Sequence, residues 1–347
     1  MNLGGLSLPS RREPIVRLIA ADWRRLTTPA KASRNGRGAP TLVACSGGGD
    51  SSALVIALAV AAGRDAASTL TVGHIVHDLR PPIEARADRD AVAELARRLQ
   101  LPFAEAAVWV QGVPGNAEAN ARRARYAALA ALAQERGVRF IATAHNSHDA
   151  AESVVMALLR GAGPRGLAAL APSRRLNAGS VLVRPMLAVS PVEARRLCAA
   201  AGWRHAHDAT NDDLTRLRNA VRREVIPVLL ALKPGAEHRI AAAARRCKEA
   251  ADTVSGRALR LIKSGRTADG YRWPRSRLRA ASPAVLGDTL RRCAAAVAGP
   301  GTLDKLPARA VEAAVRLIRA EQTDPKSVRW SGVTLHVTAQ TVEIKAD

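Results

Sequence analysis

At 347 residues, with 53 Lys and Arg against 30 Asp and Glu, the chain carries a formal net charge of +23. The length suffices for two domains, and the charge suits a polyanionic partner, although a compositional bias toward Ala and Arg contributes to it. Cys45, Cys198, Cys247 and Cys293 are widely spread and form no Cys-x-x-Cys pair, which speaks against a zinc ribbon, an iron–sulfur cluster or a disulfide scaffold. No apolar run reads as long enough to span a bilayer, and residues 1–9 lack a basic segment followed by an apolar core. The expectation is a cytoplasmic protein with no membrane association; the oligomeric state stays open, a homodimer included.

Residues 1–40 read as a basic N-terminal extension. Within it, Pro14 to Leu26 has the spacing of a short amphipathic helix carrying Ile15, Leu18, Ile19 and Trp23, and Thr27 to Pro40 has the composition of a linker. The apolar run Thr41–Cys45 predicts a strand, and the Ala/Leu-rich run Ala53–Val60 predicts a helix. Between them lies Ser46-Gly47-Gly48-Gly49-Asp50-Ser51-Ser52. Glycines let the backbone approach an anion closely, and a helix start presents N–H groups and a positive dipole end to it. Ser46, Ser51 and Ser52 add hydroxyls, and Asp50 suits a magnesium ion beside a phosphate. The loop has no Lys, so it is not a Walker loop, and it lacks the Gly-x-Gly-x-x-Gly spacing.

Strand-like segments follow at Thr69–Val76, Val108–Val110 and Phe140–Thr143, and helix-like ones at 86–99, 117–136 and 149–160. This alternation predicts a Rossmann-like parallel sheet with helices on both faces. Ligands bind beyond the carboxyl ends of such strands. Three polar clusters fall there: Ser46–Ser52, His74–Arg80 and Ala144–Glu152. In the second, His74 reads as structural and His77 and Arg80 as nucleotide contacts. On the 117–136 helix Glu118, Arg122 and Arg125 share a face; they form either a surface salt bridge or a guanidinium aimed at phosphate or developing negative charge. Asp149 and Glu152 lie three apart near a helix start. They either cap that helix or hold magnesium or polarise an attacking amine.

The loop resembles the SGG-x-DS signature of PP-loop ATP pyrophosphatases. Over roughly residues 41–230 the ordered set of motifs resembles the tRNA(Ile)-lysidine synthetases. That set comprises His74-x-x-His77-x-Leu79-Arg80, Glu118-Ala-x-Ala-Arg122-x-x-Arg125-Tyr126, Ala142-Thr-Ala-His145 with Asp149-x-x-Glu152-Ser153, Leu159-Arg-Gly-Ala-Gly-Pro-x-Gly-Leu167, Val183-Arg184-Pro185-Met-Leu187, Asp208-x-Thr210-Asn211, and Arg218-Asn219-x-x-Arg222 followed by Val225-Ile-Pro227. The resemblance implies an adenine nucleotide α-hydrolase-like PP-loop fold and a two-step reaction. ATP adenylates the C2 oxygen of the wobble cytidine of an isoleucine tRNA with a CAU anticodon, and pyrophosphate leaves. Free L-lysine then attacks C2 through its ε-amine and expels AMP, so that the tRNA reads AUA rather than AUG. In that scheme Ser46–Ser51 hold pyrophosphate, with Ser52, His77 and Arg80 among the ATP contacts, Asp50 binds magnesium, and Arg122 contacts the activated cytidine or its adenylate. Asp149 and Glu152 receive the lysine ammonium. Arg125, Arg218, Asn219 and Arg222 bind tRNA, and Asp208 and Asn211 shape an interdomain turn. Two positions depart from the family pattern: Asn146 stands where a His is usual, and His148 where an Asp is common.

Beyond this stretch, Gly161–Gly166 reads as a flexible basic loop and 191–202 as a short helix. Helical runs at 240–262, 283–298 and 308–320 predict a small, mainly α-helical domain, and Val328–Ile344 alternates like a terminal β-hairpin. The expected organisation is an extension over 1–40, a PP-loop ATP-binding catalytic domain over 41–222, and a helical tRNA-binding domain over 223–347. The chain resembles the shorter form of the family, without a full extra C-terminal domain. Rival readings are a PP-loop tRNA thiolase, a PP-loop amide synthetase, and a basic tRNA-binding protein with a dead nucleotide loop.

Overall fold

The computed structural model describes residues 2–28, 38–78, 81–168, 170–204, 217–299, 307–321, 324–330 and 332–347. They fall into two compact units, Met1–Arg245 and Arg246–Asp347. The first opens with a hairpin of β1 (Asn2–Leu3) and β2 (Leu6–Ser7), then α1 (Pro14–Thr27). Pro14 sits in the first turn of α1, where its missing N–H is tolerated. Val16, Ile19, Ala20 and Trp23 recur at helical spacing and are buried in the main core. Trp23 Nε1 donates to Thr41 Oγ1 at 2.9 Å, and the Thr27 hydroxyl donates to the Trp23 carbonyl. The helix of the expected extension is therefore built into the first unit; most of the expected linker lies outside the described residues.

The main sheet is laid down by β3 (Thr41–Ala44), α2 (Gly49–Ala62), α3 (Ala66–Thr69), β4 (Leu70–His77), α4 (Pro82–Arg98), β5 (Phe103–Val108), α5 (Ala117–Glu135), β6 (Phe140–Ala142), α6 (Ser147–Leu159), α7 (Pro164–Leu167), β7 (Ser173–Arg175), β8 (Val181–Val183) and α8 (Pro191–Ala200). Strand order is β5-β4-β3-β6-β8-β7, parallel except for the β7 edge. The chain winds from β3 outward to β5 and returns to place β6 on the other side of β3. The topological switch point thus lies between β3 and β6. One face of the sheet packs on α1, α2, α4 and α8, and α5 covers the other through Tyr126, Leu129, Leu132 and Ala133.

Helix α2 is buried at every position from Ser51 to Ala61, and α1 and α8 pack on it. Apolarity all round is the signature of an enclosed helix. It also corrects an expectation: Gly49–Thr69, with a mean hydropathy of 1.2, is by length and composition apolar enough to cross a membrane, and 61% of that window is buried within the fold. A second correction concerns β5, which runs over Phe103–Val108 and ends before Trp109. Its Ala-rich sequence has little strand propensity, and parallel pairing with β4 decides its extent. The expected loop at Gly161–Gly166 also contains the start of α7.

After α8 the described chain resumes with α9 (Leu217–Ala220), a π-helical turn over Val221–Val225 and α10 (Ile226–Leu232). The turn widens just before Pro227, which has no N–H to donate. Val221 and Ile226 pack on Ala151 of α6. Residues 223–245 thus belong to the first compact unit, whose limit falls within α11 (Ala236–Gly265) rather than after 222.

The second unit continues through β9 (Gly270–Pro274), α12 (Arg275–Arg279), α13 (Pro283–Ala298), α14 (Ala308–Arg319), β10 (Lys326–Trp330), β11 (Val333–Val337) and β12 (Thr341–Ala346). The expected hairpin is part of a four-stranded antiparallel sheet, ordered β10-β11-β12-β9. Buried Arg275 joins that sheet to α14: its guanidinium donates to the carbonyls of Leu317, Ile318, Ala320 and Thr338. Helix C-terminal carbonyls lack intrahelical partners, and the buried cation supplies them.

If α1 is integral to the first unit, Trp23→Ala should cost about 3–5 kcal/mol in urea unfolding of the full chain. A loss below about 1 kcal/mol would show α1 to be a dispensable appendage.

Candidate functional site

The glycine-rich turn leaves β3 on one side of the switch point. Gly47 has φ of 92°, a left-handed conformation that favours glycine. Gly48 is the N-cap of α2 and offers no side chain, so the first-turn amides and positive dipole end of α2 are left to an anion. The serines, grouped as equivalent hydroxyl donors in the sequence, separate here. Ser46 is exposed. Ser51 Oγ accepts from the Ser46 amide at 3.1 Å and donates to the Gly48 carbonyl at 3.0 Å, bracing the turn from inside. Ser52 is fully buried. Buried His74 is hydrogen-bonded through Nδ1 to the Cys45 carbonyl at 2.9 Å, tying β4 to β3; its structural reading holds. Burial pushes the Cys45 thiol up and Cys198 to about 12, so neither serves as a nucleophile. His77 ends β4, half-buried. Leu79 and Arg80 lie outside the described residues, as do Asp208, Thr210 and Asn211.

Across the switch point, β6 leads into α6 through Thr143–Asn146. Asn146 caps α6: its Oδ1 accepts the Asp149 amide at 3.1 Å, and its own amide donates to Asp149 Oδ2 at 3.0 Å. Its Nδ2 donates to Asp50 Oδ2 at 2.8 Å. One residue thus links the carboxylates of the two loops, Asp50 through its side-chain amide and Asp149 through its main-chain amide, and Asn146, the departure from the family pattern, has a defined role. Burial raises the pKa of Asp50, and the nearby negative charge of Asp149 raises it further; Asn146, Arg195 and Arg222 oppose the shift.

Asp149 and Glu152 face the same side of α6, as their spacing predicts, but they are already paired. Arg218 Nε donates to Glu152 Oε2 and its Nη2 to Asp149 Oδ1, each at 2.9 Å. Arg222 Nε donates to Glu152 Oε1 at 2.6 Å, and its Nη2 reaches Asp149 Oδ1 at 3.4 Å. The sequence reading gave the carboxylates to an ammonium and the arginines to RNA phosphate; here the two groups are one network. Enclosing a carboxylate is tolerable only when it is met by an opposite charge, and the two partly exposed guanidiniums supply it. The Glu152 side chain has 0% exposure against 15% for Asp149. Burial works against ionised Asp149, yet Arg218, the Asn146 amide and Arg222 hold its pKa below the ordinary carboxylate value. Asn219 lies between the two arginines in sequence, half-buried on α9.

A second cationic group surrounds the buried ring of Tyr126. Arg122, Arg125 and Arg174 place their guanidinium carbons 5.4, 5.9 and 5.2 Å from its centroid. Arg184, itself buried, donates to the Ala171 carbonyl at 2.6 Å. Between the two groups His145 is hydrogen-bonded to Thr143 Oγ1 at 2.9 Å. Burial lowers its pKa to about 3, with Arg184, Arg122 and Arg218 contributing, so the ring is neutral. His148 is also lowered by burial, against the pull of Glu237, Glu152 and Asp149.

Sequence reasoning left Asn146, Arg174, Arg184 and Arg195 without roles. Arg195 follows the Ser190–Glu193 capping box that starts α8, so its helix was legible, but its electrostatic reach to Asp50 depends on α8 packing on α2.

The PP-loop domain family matches residues 24–229. A tRNA(Ile)-lysidine synthase of Salinispora tropica is 41% identical over 288 residues, covering 80% of this chain and 82% of that one. The protein of the same name in Salinispora arenicola is 39% identical over 313 residues, covering 87% and 88%. Its counterpart in Bordetella bronchiseptica is 39% identical over 245 residues, covering 69% of each. Among solved structures, the U34-tRNA thiolase NcsA of Methanococcus maripaludis with its 4Fe-4S cluster aligns with a TM-score of 0.55 at 17% identity, covering 68% of this chain and 80% of that one. At that identity the likeness concerns the fold alone.

Two outcomes follow from the charges. Removing both cations in R218A/R222A leaves Glu152 buried and unpaired, and should cost about 3–5 kcal/mol of stability in urea unfolding; a neutral result would mean that Glu152 is not enclosed. His145 titrates near 6.5 when unfolded and near 3 when folded, so the unfolded chain binds the extra proton in that window. Its contribution to stability is therefore complete above 6.5 and lost as pH falls toward 3. The stability difference between wild type and H145Q should shrink over that range, and a pH-independent difference would contradict the neutral buried ring.

Proposed function

The chain belongs to the tRNA(Ile)-lysidine synthase family of PP-loop proteins, and from that premise we propose that it ligates free L-lysine to C2 of the wobble cytidine in isoleucine tRNA with a CAU anticodon, using ATP. The observation that carries the reading is the meeting, at one switch point, of an uncapped helix start shaped for phosphate and a carboxylate–guanidinium network bridged to it by Asn146. In the first step the cytidine C2 oxygen attacks the α-phosphorus of ATP and pyrophosphate departs. The amides at the start of α2 and the exposed Ser46 hydroxyl bind the leaving pyrophosphate. His77 contributes from the end of β4, and Arg80 is assigned to the nucleotide by its motif. Arg122 faces the charge of the adenylated base, with Arg125 beside it on α5 for the RNA.

Asp50 suits magnesium by its chemistry: an oxygen ligand, disfavoured as a bare anion by burial and by Asp149, gains from a neighbouring cation. Among the described residues no group of three or more His, Cys, Asp or Glu side chains could hold a metal ion, so water and phosphate oxygens would complete the shell, as is usual for this ion. When bound, magnesium would offset charge on the polyphosphate. In the second step the lysine ε-amine, having lost a proton, attacks C2 and AMP leaves. Asp149, held ionised, attracts the incoming ammonium. Enclosed Glu152 acts by holding Arg218 and Arg222 in place. Arg218 has N–H groups beyond those engaged with carboxylates, so a contact to tRNA phosphate is compatible with its pairing. Cys45 and Cys198, buried with raised pKa values beside the loop, weigh against sulfur transfer.

The test follows pyrophosphate release and labelled lysine incorporation together, with an unmodified CAU transcript as substrate. Both should require RNA, and lysine should enter the RNA. D50A should lower adenylation at least a hundredfold, on the order expected for loss of a charge-stabilising group. D149N should release pyrophosphate and accumulate adenylated RNA without lysine transfer. ATP consumption with transcript but no lysine incorporation by the wild type would refute the assignment.

A further inference from the structure

The sequence contains five Trp, two Tyr and two Phe. Trp23, Trp273, Trp330, Tyr126 and Tyr271 are buried, and Phe103, Phe140 and Trp203 are half-buried. Trp109 alone is exposed, at 76%. It directly follows Val108, the last residue of β5, whose register partner is His77 at the end of β4. The indole therefore stands at the carboxyl-end rim of the parallel sheet, one residue beyond a strand position opposite a proposed nucleotide contact.

The backbone around it is pinned from two sides. The carboxylate of Asp78, just past β4, accepts the amides of Val110 at 2.9 Å and Gln111 at 3.0 Å, and the Gln111 side chain donates back to the Asp78 carbonyl. Val110 itself is buried. From α5, the buried Asn120 donates its side-chain amide to the carbonyls of Val113 and Pro114, each at 3.1 Å, while Asn116 caps the helix. Arg123 donates to the oxygen of Asn120, which brings a cation to the same loop. An indole so exposed forgoes burial that a tryptophan would otherwise gain, and the backbone that follows it is held in place by Asp78 and Asn120. An exposed ring on a pinned backbone, with Arg123 held to the same loop through Asn120, on a chain of net charge +23, has the character of a nucleic-acid stacking platform rather than of loose surface.

We propose that Trp109 stacks on an unpaired base of the RNA substrate, in the single-stranded loop that carries the reacting nucleotide, with Arg123 facing the adjoining phosphate. This rests on the tRNA reading above. Stacking is tolerant of base identity, so Trp109 contributes affinity and the placement of the loop rather than sequence choice.

The experiment uses the full chain and the unmodified CAU transcript. In free protein the acrylamide-quenchable tryptophan emission should be dominated by Trp109, and saturating transcript should shield it. W109A should raise the Kd for transcript at least fivefold, the lower end for loss of one stacked base. W109F should stay within about twofold of wild type, since every aromatic ring offers a stacking face. ATP affinity without RNA and the melting temperature should be unchanged in both. If W109A melts early, W109L, which keeps apolar bulk without a π face, reads the same difference against W109F. An unchanged Kd in W109A or W109L, or an indole still quenchable in the complex, overturns the proposal. So does loss of self-association in sedimentation with unchanged RNA affinity, which would assign Trp109 to contacts between copies. Lysidine formation by the wild type with no effect of W109A overturns only the stacking role; a wild type that neither binds nor modifies the transcript overturns the tRNA reading as well.

Discussion

Glu152 has no contact with solvent, and a carboxylate in that position must be met by protein charge. Arg218 and Arg222 meet it, and both reach Asp149 one helical turn earlier. Much of the first unit's arrangement depends on that demand. It draws α9 and the following π-helical turn onto α6, where Val221 and Ile226 close over Ala151. It also explains why the compact unit continues well past residue 222. Two guanidiniums side by side would repel if left alone; with two carboxylates between them they form a fixed, nearly neutral block.

That block is coupled to the glycine-rich turn through Asn146. The same amide group caps α6 and donates to Asp50, so the loops leaving β3 and β6 cannot shift independently. The switch point of a parallel sheet provides the crevice in which such loops face one another. The phosphate side uses backbone amides and a helix dipole, which need no countercharge of their own. The acceptor side uses ionised side chains that the fold neutralises in advance. Neutral His145 lies between this block and the arginines around Tyr126, adding no further positive charge there.

The second unit is held by a different device. Arg275 is buried and donates to carbonyls at the end of α14 and in the turn before β12. Its sheet gains β9 from a segment more than fifty residues earlier in the chain. Tyr271 and Trp273 alternate there as a strand requires, but a five-residue run between helices carries too little periodic signal to be read without its partner strand.

Much of the fold was legible because its determinants are local. Amphipathic spacing marked α1, and helix-forming, Ala-rich composition marked α5, α13 and α14; the break from a β-branched run to glycines marked the β3–α2 turn; the ordered motifs from Ser46 to Arg222 named the family. The candidate site was legible as a set of residues, but not as a set of pairs. Asp149 and Glu152 read as open carboxylates and Arg218 and Arg222 as open cations, because nothing within a helical turn of either reveals that they meet across a separation of roughly seventy residues. Asn146 was visible only as a departure from pattern until Asp50, ninety-six positions away, supplied its partner. The exposure of Trp109 was likewise hidden, since the same residue in a longer β5 would have been read as sheet. By itself, then, the sequence determined which elements form and which chemistry they can carry, for these depend on neighbours along the chain. Only the tertiary structure decided which charges cancel, which serine is exposed and which aromatic stays in water, because burial and long-range pairing are properties of the packed sheet and not of any local stretch.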